Sequence, residues 1–309
     1  MVIVMKNESR LMWLSGNIIP VEDAKVNVLS PTSQFGLNVF EGLRGYWSEK
    51  DKQLYIFKLE EHCERLLKSI KMVRFECEYT VDFLKNAILD VVKANNFLED
   101  IAIRQTVFVD GFGNWAATGP VDMFIAPIAK GRQLIDKDGI SCCISSWERI
   151  SDKCLPPKIK MGANYMNSRL GQMEAHRNGY DSTIFLNNAG KVSEGPGACL
   201  FIVRDGKLIT PTITSSILES ITRTTVIDIA RNNLNLVVEE REIDRTELYI
   251  AEEVFMCGSA VEILPVLSVD KMPVGSGKKG LITQNIEQCY FDILRRDIIV
   301  NDSWLTPVY

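Results

Sequence analysis

The stretch from Lys158 to Phe201 constrains this chain more than any other. It opens on Lys160-Met-Gly-Ala-Asn-Tyr165 and closes on Ser193-Glu-Gly-Pro-Gly-Ala-Cys-Leu-Phe201. Between these two small-residue loops the spacing predicts a helix over Tyr165 to Arg177, stopped by Gly179. A strand over Ser182 to Leu186 and a turn at Asn188-Ala-Gly190 then lead to the glutamate. Phe201 to Ile209 continues as a hairpin with Asp205-Gly206 at its tip.

The rest of the chain mixes helices and strands without strict alternation. Trp13 to Pro20 reads as a hairpin with Gly16-Asn17 at the turn, and Leu29 to Gly42 as a helix. Strands Leu43 to Trp47 and Leu54 to Phe57 follow, then a helix over Leu59 to Met72. Thr80 is placed to cap a helix whose apolar stripe is Phe83, Leu84, Ala87, Ile88, Val91 and Val92. Further strands are expected at Ile101 to Val109, Asp122 to Pro127, Ile140 to Trp147, Leu236 to Glu240 and Glu253 to Cys257. Helices are expected at Ile221 to Arg231 and Gly280 to Arg296. This pattern predicts an α+β fold rather than a doubly wound sheet. At 309 residues, two domains are expected: a smaller one over 1–127, a connection over 128–138, and a larger one over 139–309.

Composition excludes several function classes. Hydrophobic residues make up 46%, enough for real cores, and the net charge is -5 with lysines and arginines dispersed. That argues against a nucleic-acid surface. No stretch approaches the ~20 apolar residues of a membrane span, and the N-terminus is too short and weakly apolar for a signal peptide. The eight cysteines include no C-x-x-C pair, and several lie in apolar runs. A reducing, cytoplasmic setting is expected. With two histidines in the chain, no metal site is expected.

Lys160, Tyr165 and Glu194 carry the chemistry. A lone lysine is ordinarily a solvated surface group, as Lys158 is expected to be. A lysine before a small-residue loop, with a phenol five positions on and a glutamate beside glycines, matches the needs of pyridoxal phosphate (PLP). The amine forms the Schiff base and later shuttles a proton, the phenol contacts the ring oxygen, and the carboxylate pairs with the pyridinium nitrogen. The phosphate needs donors, and Ile221 and Thr222 open a predicted helix, with Ser216 and Ser220 nearby. N-capping alone would also account for such a serine.

Taken in order, these motifs resemble the fold-type IV PLP enzymes, most closely the branched-chain amino acid aminotransferase family. The likeness extends through Val39-Phe-Glu-Gly-Leu-Arg44, Phe57 to Leu66, Ser146-Trp147, Ile221-Thr-Arg223 and Val254 to Ala260. It implies a D-amino acid aminotransferase-like architecture, with a small N-terminal α/β domain and a larger domain built on a barrel-like sheet. It further implies that Ser259 and Ala260 contact phosphate and substrate carboxylate, and that Phe35, Phe40, Ala102, Arg104 and Trp147, with Met256, line the substrate pocket. Three positions depart from the family. Lys58 stands where a phosphate-binding arginine is usual, Phe35 where a tyrosine is frequent, and Ala102 where a tyrosine helps hold the substrate carboxylate.

The expectation is therefore a transaminase of amino-acid biosynthesis. It would move an amino group between a hydrophobic, branched-chain or bulkier amino acid and 2-oxoglutarate by a ping-pong mechanism. The partners expected are the amino acid and 2-oxo acid, and a second copy of the chain in a homodimer or higher homo-oligomer. The alternatives are a D-amino acid or amine transaminase, an aminodeoxychorismate-type lyase, or a catalytically silent PLP-binding homologue.

Overall fold

The chain turns first at Ser15-Gly16, where both residues have positive φ (51° and 85°). This joins β1 (Leu11–Leu14) to β2 (Asn17–Pro20) with Leu14 opposite Asn17. The turn thus lies one residue earlier than Gly16-Asn17, because a two-residue hairpin turn needs left-handed backbone at both central positions. The computed structural model describes residues 10–132 and 138–309.

The region read as one long helix, Leu29 to Gly42, is instead a short helix followed by a long strand. Ser30 caps α1 (Pro31–Phe35) with Pro31 in its first turn, so the start signals are genuine. Gly36 then takes φ 72° and ends the helix after five residues. The chain continues as β3 (Asn38–Ser48), which absorbs the expected strand Leu43 to Trp47.

β3 is followed by β4 (Gln53–Phe57), α2 (Leu59–Val73), α3 (Val81–Asn95), β5 (Ile101–Val109) and β6 (Val121–Ala129). Thr80 caps α3 through the Phe83 N–H. The strands form an antiparallel sheet in the order β4-β3-β5-β6-β1-β2, and the C-terminal strand Leu305–Pro307 adds to β4 at its edge. The connection expected over 128–138 begins inside β6, and residues 133–137 of it lie outside the described residues.

This sheet is the centre of one compact unit, formed by described residues up to 131 with 161–163 and 301–309. Two chain segments remote in sequence belong to it because they pair with it: Met161 bridges Val39, and Leu305–Pro307 pairs with β4. In β3, Val39, Glu41 and Leu43 lie on the helix-covered face, and Phe40 and Gly42 on the other. Glu41 is fully buried and meets α2, with Oε2 2.7 Å from His62 Nδ1 and both oxygens bonded by Arg65 at 2.7 to 2.8 Å.

The second unit comprises Arg132–Lys160 and Asn164–Val300. Its elements are β7 (Ile140–Ile144), α4 (Tyr165–Arg177), β8 (Ser182–Ile184), β9 (Cys199–Arg204), β10 (Lys207–Thr210) and α5 (Ile221–Asn232). There follow β11 (Val238–Glu240), α6 (Glu247–Ile250), β12 (Glu253–Gly258), β13 (Glu262–Val269), β14 (Met272–Pro273) and α7 (Leu281–Leu294). The sheet order is β11-β10-β9-β12-β13-β7-β8, with β14 on β13. The ladders β10–β11, β13–β7 and β7–β8 are parallel and the others antiparallel. Strands expected at 140–147 and 182–186 are shorter. Ser145 N–H still reaches the Ile184 carbonyl, but beyond it the ladder ends: Phe185 N–H bonds the Glu194 carbonyl and Arg149 N–H the Leu186 carbonyl.

One face of this sheet buries Leu200, Ile202, Val254, Met256, Leu264 and Val266. On the other, Phe201 and Phe255 stack with ring centres 5.0 Å apart, where α5 and α7 pack on β12. Among the described residues no helix is long and apolar enough to cross a membrane, and all eight cysteines are thiols.

Burial by itself disfavours an ionised Glu41, but the charge and hydrogen bonds of Arg65, with those of His62, outweigh it and lower its pKa from 4.5 to about 2. A carboxylate depressed on folding stabilises the fold above its unfolded pKa, and that contribution disappears as pH falls through the folded one. It amounts to about 3 kcal/mol. Denaturant unfolding of the wild type should therefore lose stability steeply between about pH 4.5 and pH 2. Glu41→Gln should be less stable at pH 7 and show a flatter profile across that window. An unchanged slope would assign the acid sensitivity to other carboxylates.

Candidate active site

The lysine loop is held by its own asparagine. Asn164 is buried, and its Nδ2 donates to the carbonyls of Pro156 (3.1 Å) and Ile159 (2.8 Å). Those bonds fix the backbone immediately before Lys160. Tyr165 opens α4, and Lys160 Nζ lies 3.1 Å from its phenol oxygen, to which it donates. The two residues that the sequence singles out five positions apart are thus brought into direct contact.

Glu194 lies on the short segment between β8 and β9. Phe185 N–H bonds the Glu194 carbonyl, and Gly195 N–H bonds the Ala198 carbonyl, closing a tight turn. The carboxylate is 3% exposed and its partner is Arg149, itself 8% exposed. Arg149 Nε and Nη2 both donate to Glu194 Oε1, at 3.0 and 2.7 Å. Nη1 of the same guanidinium donates to Asn167 Oδ1 on α4 at 3.0 Å. Glu194 Oε2 accepts the Leu218 N–H at 3.2 Å and has the Cys199 thiol at 3.7 Å.

Arg149 was not anticipated. It lies 45 positions from Glu194, in a polar turn with no periodicity to mark it. The available signal was indirect: a carboxylate enclosed by glycines and apolar strands needs a cation, because an unpaired buried charge is too costly to keep.

The remaining second-unit residues gather around the same loop. Ser220 caps α5 by accepting the Arg223 N–H, and Ile221 and Thr222 occupy the first turn, whose N–H groups have no acceptor within the helix. The segment leading to this cap is tied to the glutamate loop by Ser193 Oγ donating to the Ser216 carbonyl (3.1 Å). In the β9–β12 ladder Cys199 stands opposite Cys257, which sets the turn Ser259-Ala260 beside the start of β9. A Cβ on Gly258 would stand 3.3 Å from the Gly197 carbonyl, so the two loops touch through backbone alone. Trp147 is half exposed, and its backbone N–H donates to Ser145 Oγ. Met256 is buried in the sheet core, where its sulfur backs Gly195.

Lys58, Phe35, Phe40, Ala102 and Arg104 belong to the first unit. Ala102 and Arg104 share one face of β5, opposite Arg44 and Gly42 of β3. The Arg104 guanidinium lies 3.9 Å from the Phe40 ring centre. Phe35 is exposed and meets Trp115 edge-on. Lys58 precedes α2 with φ 53°, and its ammonium lies 2.6 Å from Glu61 Oε1 and 4.3 Å from the centre of the Trp304 ring.

Replacing Arg149 by methionine would leave Glu194 buried without its cation, a change expected to cost about 3–5 kcal/mol. Arg149→Met should lower the midpoint of chemical unfolding accordingly, while Arg149→Met combined with Glu194→Gln should recover part of the loss. Equal destabilisation in single and double variants would show that Arg149 acts chiefly through Asn167.

Comparison with known proteins identifies the family. The sequence pattern of the amino-transferase class IV family matches residues 38–269. A branched-chain-amino-acid aminotransferase of Escherichia coli (strain K12) is 40% identical over 303 residues, covering 96% of this chain and 97% of that protein. A probable branched-chain-amino-acid aminotransferase of Aquifex aeolicus (strain VF5) is 38% identical over 302 residues, covering 96% of each. The crystal structure of a branched-chain amino acid aminotransferase from Thermobaculum terrenum in its PLP form superposes with a TM-score of 0.94 at 42% identity, covering 98% of this chain and all of that one. With a lysine–tyrosine pair and a caged glutamate on a fold shared over nearly its whole length, the chain belongs to the class IV aminotransferases and is a PLP-dependent transaminase.

Proposed function

We propose that this enzyme transfers an amino group between a hydrophobic amino acid, branched-chain or bulkier, and 2-oxoglutarate by a ping-pong mechanism. The observation that supports the reading is that Lys160 bonds Tyr165 at the start of α4, while Arg149 ties Glu194 to Asn167 of the same helix and the Leu218 N–H ties Glu194 to the segment before α5. The groups present fit PLP: an amine, a phenol, a fixed carboxylate, a hydroxyl-capped helix start, and the exposed Gly197, where a Cβ would stand 3.9 Å from the Tyr165 ring. When bound, PLP supplies an electron sink for negative charge developing at the substrate Cα.

The chain's own residues do the rest. Lys160 Nζ takes the Cα proton and returns one to the other side of the exchange. Tyr165 Oη, already in contact with that amine, orients it. Glu194, immobilised by Arg149 and the Leu218 N–H, presents a fixed negative charge to the ring nitrogen. The N–H groups of Ile221 and Thr222, with the hydroxyls of Ser220 and Ser259, are the phosphate donors. Lys58 is assigned to the phosphate by family resemblance. Phe35, Phe40, Arg104, Trp147, Ser259 and Ala260 are assigned to the substrate on the same ground.

The relatives named above are a branched-chain-amino-acid aminotransferase of E. coli and a probable one of A. aeolicus, which supports leucine, isoleucine or valine as donors. The same reading includes assembly as a homodimer or higher homo-oligomer. Exposed Val28, Phe112 and Trp115 in the first unit, and Met166 and Met173 on α4, offer apolar surface for it.

Two experiments test this reading. Mixed with a panel of amino acids and 2-oxoglutarate, the enzyme should form glutamate. Lys160→Ala should lose at least about a thousandfold in that rate, since nucleophile and proton carrier vanish together. Pyruvate released from an aminodeoxychorismate substrate, or near-native turnover by Lys160→Ala, would count against it. The second concerns Ala102, which shares its strand face with Arg104. A tyrosine there in the family means that alanine leaves room, so extended or aromatic donors should be used well. Ala102→Tyr should shift relative kcat/KM toward the branched-chain set by about 1–3 kcal/mol. If wild type already prefers leucine, isoleucine and valine, and Ala102→Tyr slows every donor alike, another side chain fills the space.

A further inference from the structure

Beside Glu194 lies a buried group for which the transamination chemistry described above has no use. Cys199, the first residue of β9, is 2% exposed. Its sulfur is 3.7 Å from Glu194 Oε2, 3.7 Å from the Leu218 carbonyl oxygen, and within hydrogen-bonding reach of Ser220. Leu218 and Ser220 are the residues that lead into α5. One side chain thus touches both the carboxylate at one end of the candidate site and the segment that opens the helix at the other.

We propose that Cys199 is a positioning residue, whose S–H supports Glu194 Oε2, the oxygen that Arg149 does not contact, and couples the glutamate loop to the α5 entry. The inference rests on Glu194 serving the cofactor's ring nitrogen.

Three observations carry it. Glu194 Oε1 is taken by two Arg149 N–H groups, so Oε2 is the oxygen whose position remains to be set, and its donors here are the Leu218 N–H and the thiol. The thiol stays protonated: burial, and then the Glu194 charge, push it up to about 12, so it is a neutral donor at any working pH and never a competing anion. Its location is fixed by strand pairing rather than by a flexible loop, since Cys199 sits opposite Cys257 in the β9–β12 ladder. A donor set by a ladder holds its acceptor more closely than one on a mobile segment.

The test uses the PLP-loaded enzyme and four variants: Cys199→Ala, Cys199→Ser, Glu194→Gln, and Glu194→Gln with Cys199→Ala. PLP release is followed by loss of bound-cofactor absorbance after dilution into a PLP scavenger, alongside the rate of the first half-reaction and thermal unfolding. Cys199→Ala should release PLP about fivefold faster and slow the half-reaction by a similar factor, the size expected for one hydrogen bond to a charged group. Cys199→Ser keeps a donor and should stay within about twofold of wild type in both. In the Glu194→Gln background, removing the thiol should change either rate by less than about twofold, because the charged acceptor is gone. Equal losses in the alanine and serine variants, or the same fivefold loss with Glu194→Gln, would show that Cys199 only fills space. Should Glu194→Gln alone leave the half-reaction untouched, the assignment of Glu194 fails first, and this inference with it.

Discussion

The buried pair between Arg149 and Glu194 is the interaction on which the candidate site depends. Two charges taken out of water return little net stability by themselves, because desolvation offsets most of their attraction. What the pair supplies is definition. Arg149 is reached from the turn after β7, Glu194 from the turn before β9, and Asn167 from α4, so one guanidinium fixes three segments. A buried carboxylate with no such partner would be left uncompensated in an apolar surround, and its segment would lose that anchor. Glu41 in the first unit shows the same device, with Arg65 and His62 tying β3 to α2.

The strand order converts that fixed charge into a site. β9 and β12 are neighbouring antiparallel strands, so the start of one lies beside the end of the other. The glutamate loop and the Ser259-Ala260 turn are therefore adjacent although more than sixty residues apart in sequence. α5 begins at the same place, and its first turn carries a second buried guanidinium. Arg223 donates to Thr210 Oγ1, the Pro211 carbonyl and Glu240. Arg223 thus ties the first turn of α5 to β10 and β11, as Arg149 ties Glu194 to α4, so both ends of the candidate site rest on buried guanidinium groups.

The parts of this arrangement legible in the sequence are those whose cause is local. Tyr165 to Arg177, Ile101 to Val109, the cap at Thr80 and the Asp205-Gly206 turn all form where spacing and turn chemistry place them. Lys160 and Tyr165 meet because one helical start separates them. The parts that escaped are set by partners far along the chain. Phe40-Glu41-Gly42 reads as the end of a helix, whereas in the fold Glu41 lies in β3 and pairs with Arg65 of α2. β13 carries Pro265 in mid-strand, which argues against a strand, yet the proline is tolerated because its neighbour β7 joins the ladder only from Val266 onward. Leu305–Pro307 is three residues long and becomes a strand only because β4 offers an edge. Arg149 belongs to the same class, since its meaning lies wholly in Glu194.

Lys58 shows how a departure from a family pattern is answered by the surrounding residues. A guanidinium holds phosphate through a planar fork, whereas an ammonium is a compact point charge on a flexible stem. Here that charge is directed by Glu61 at 2.6 Å and the Trp304 ring at 4.3 Å. The backbone is held as well, since the Lys58 N–H donates to the Trp304 carbonyl at 2.7 Å. The ion pair is partly exposed and worth up to about 1 kcal/mol, and the cation–π contact is of about the same size. Glu61 and the C-terminal segment thus restrain both the ammonium and the backbone of a residue that lacks arginine's own rigidity.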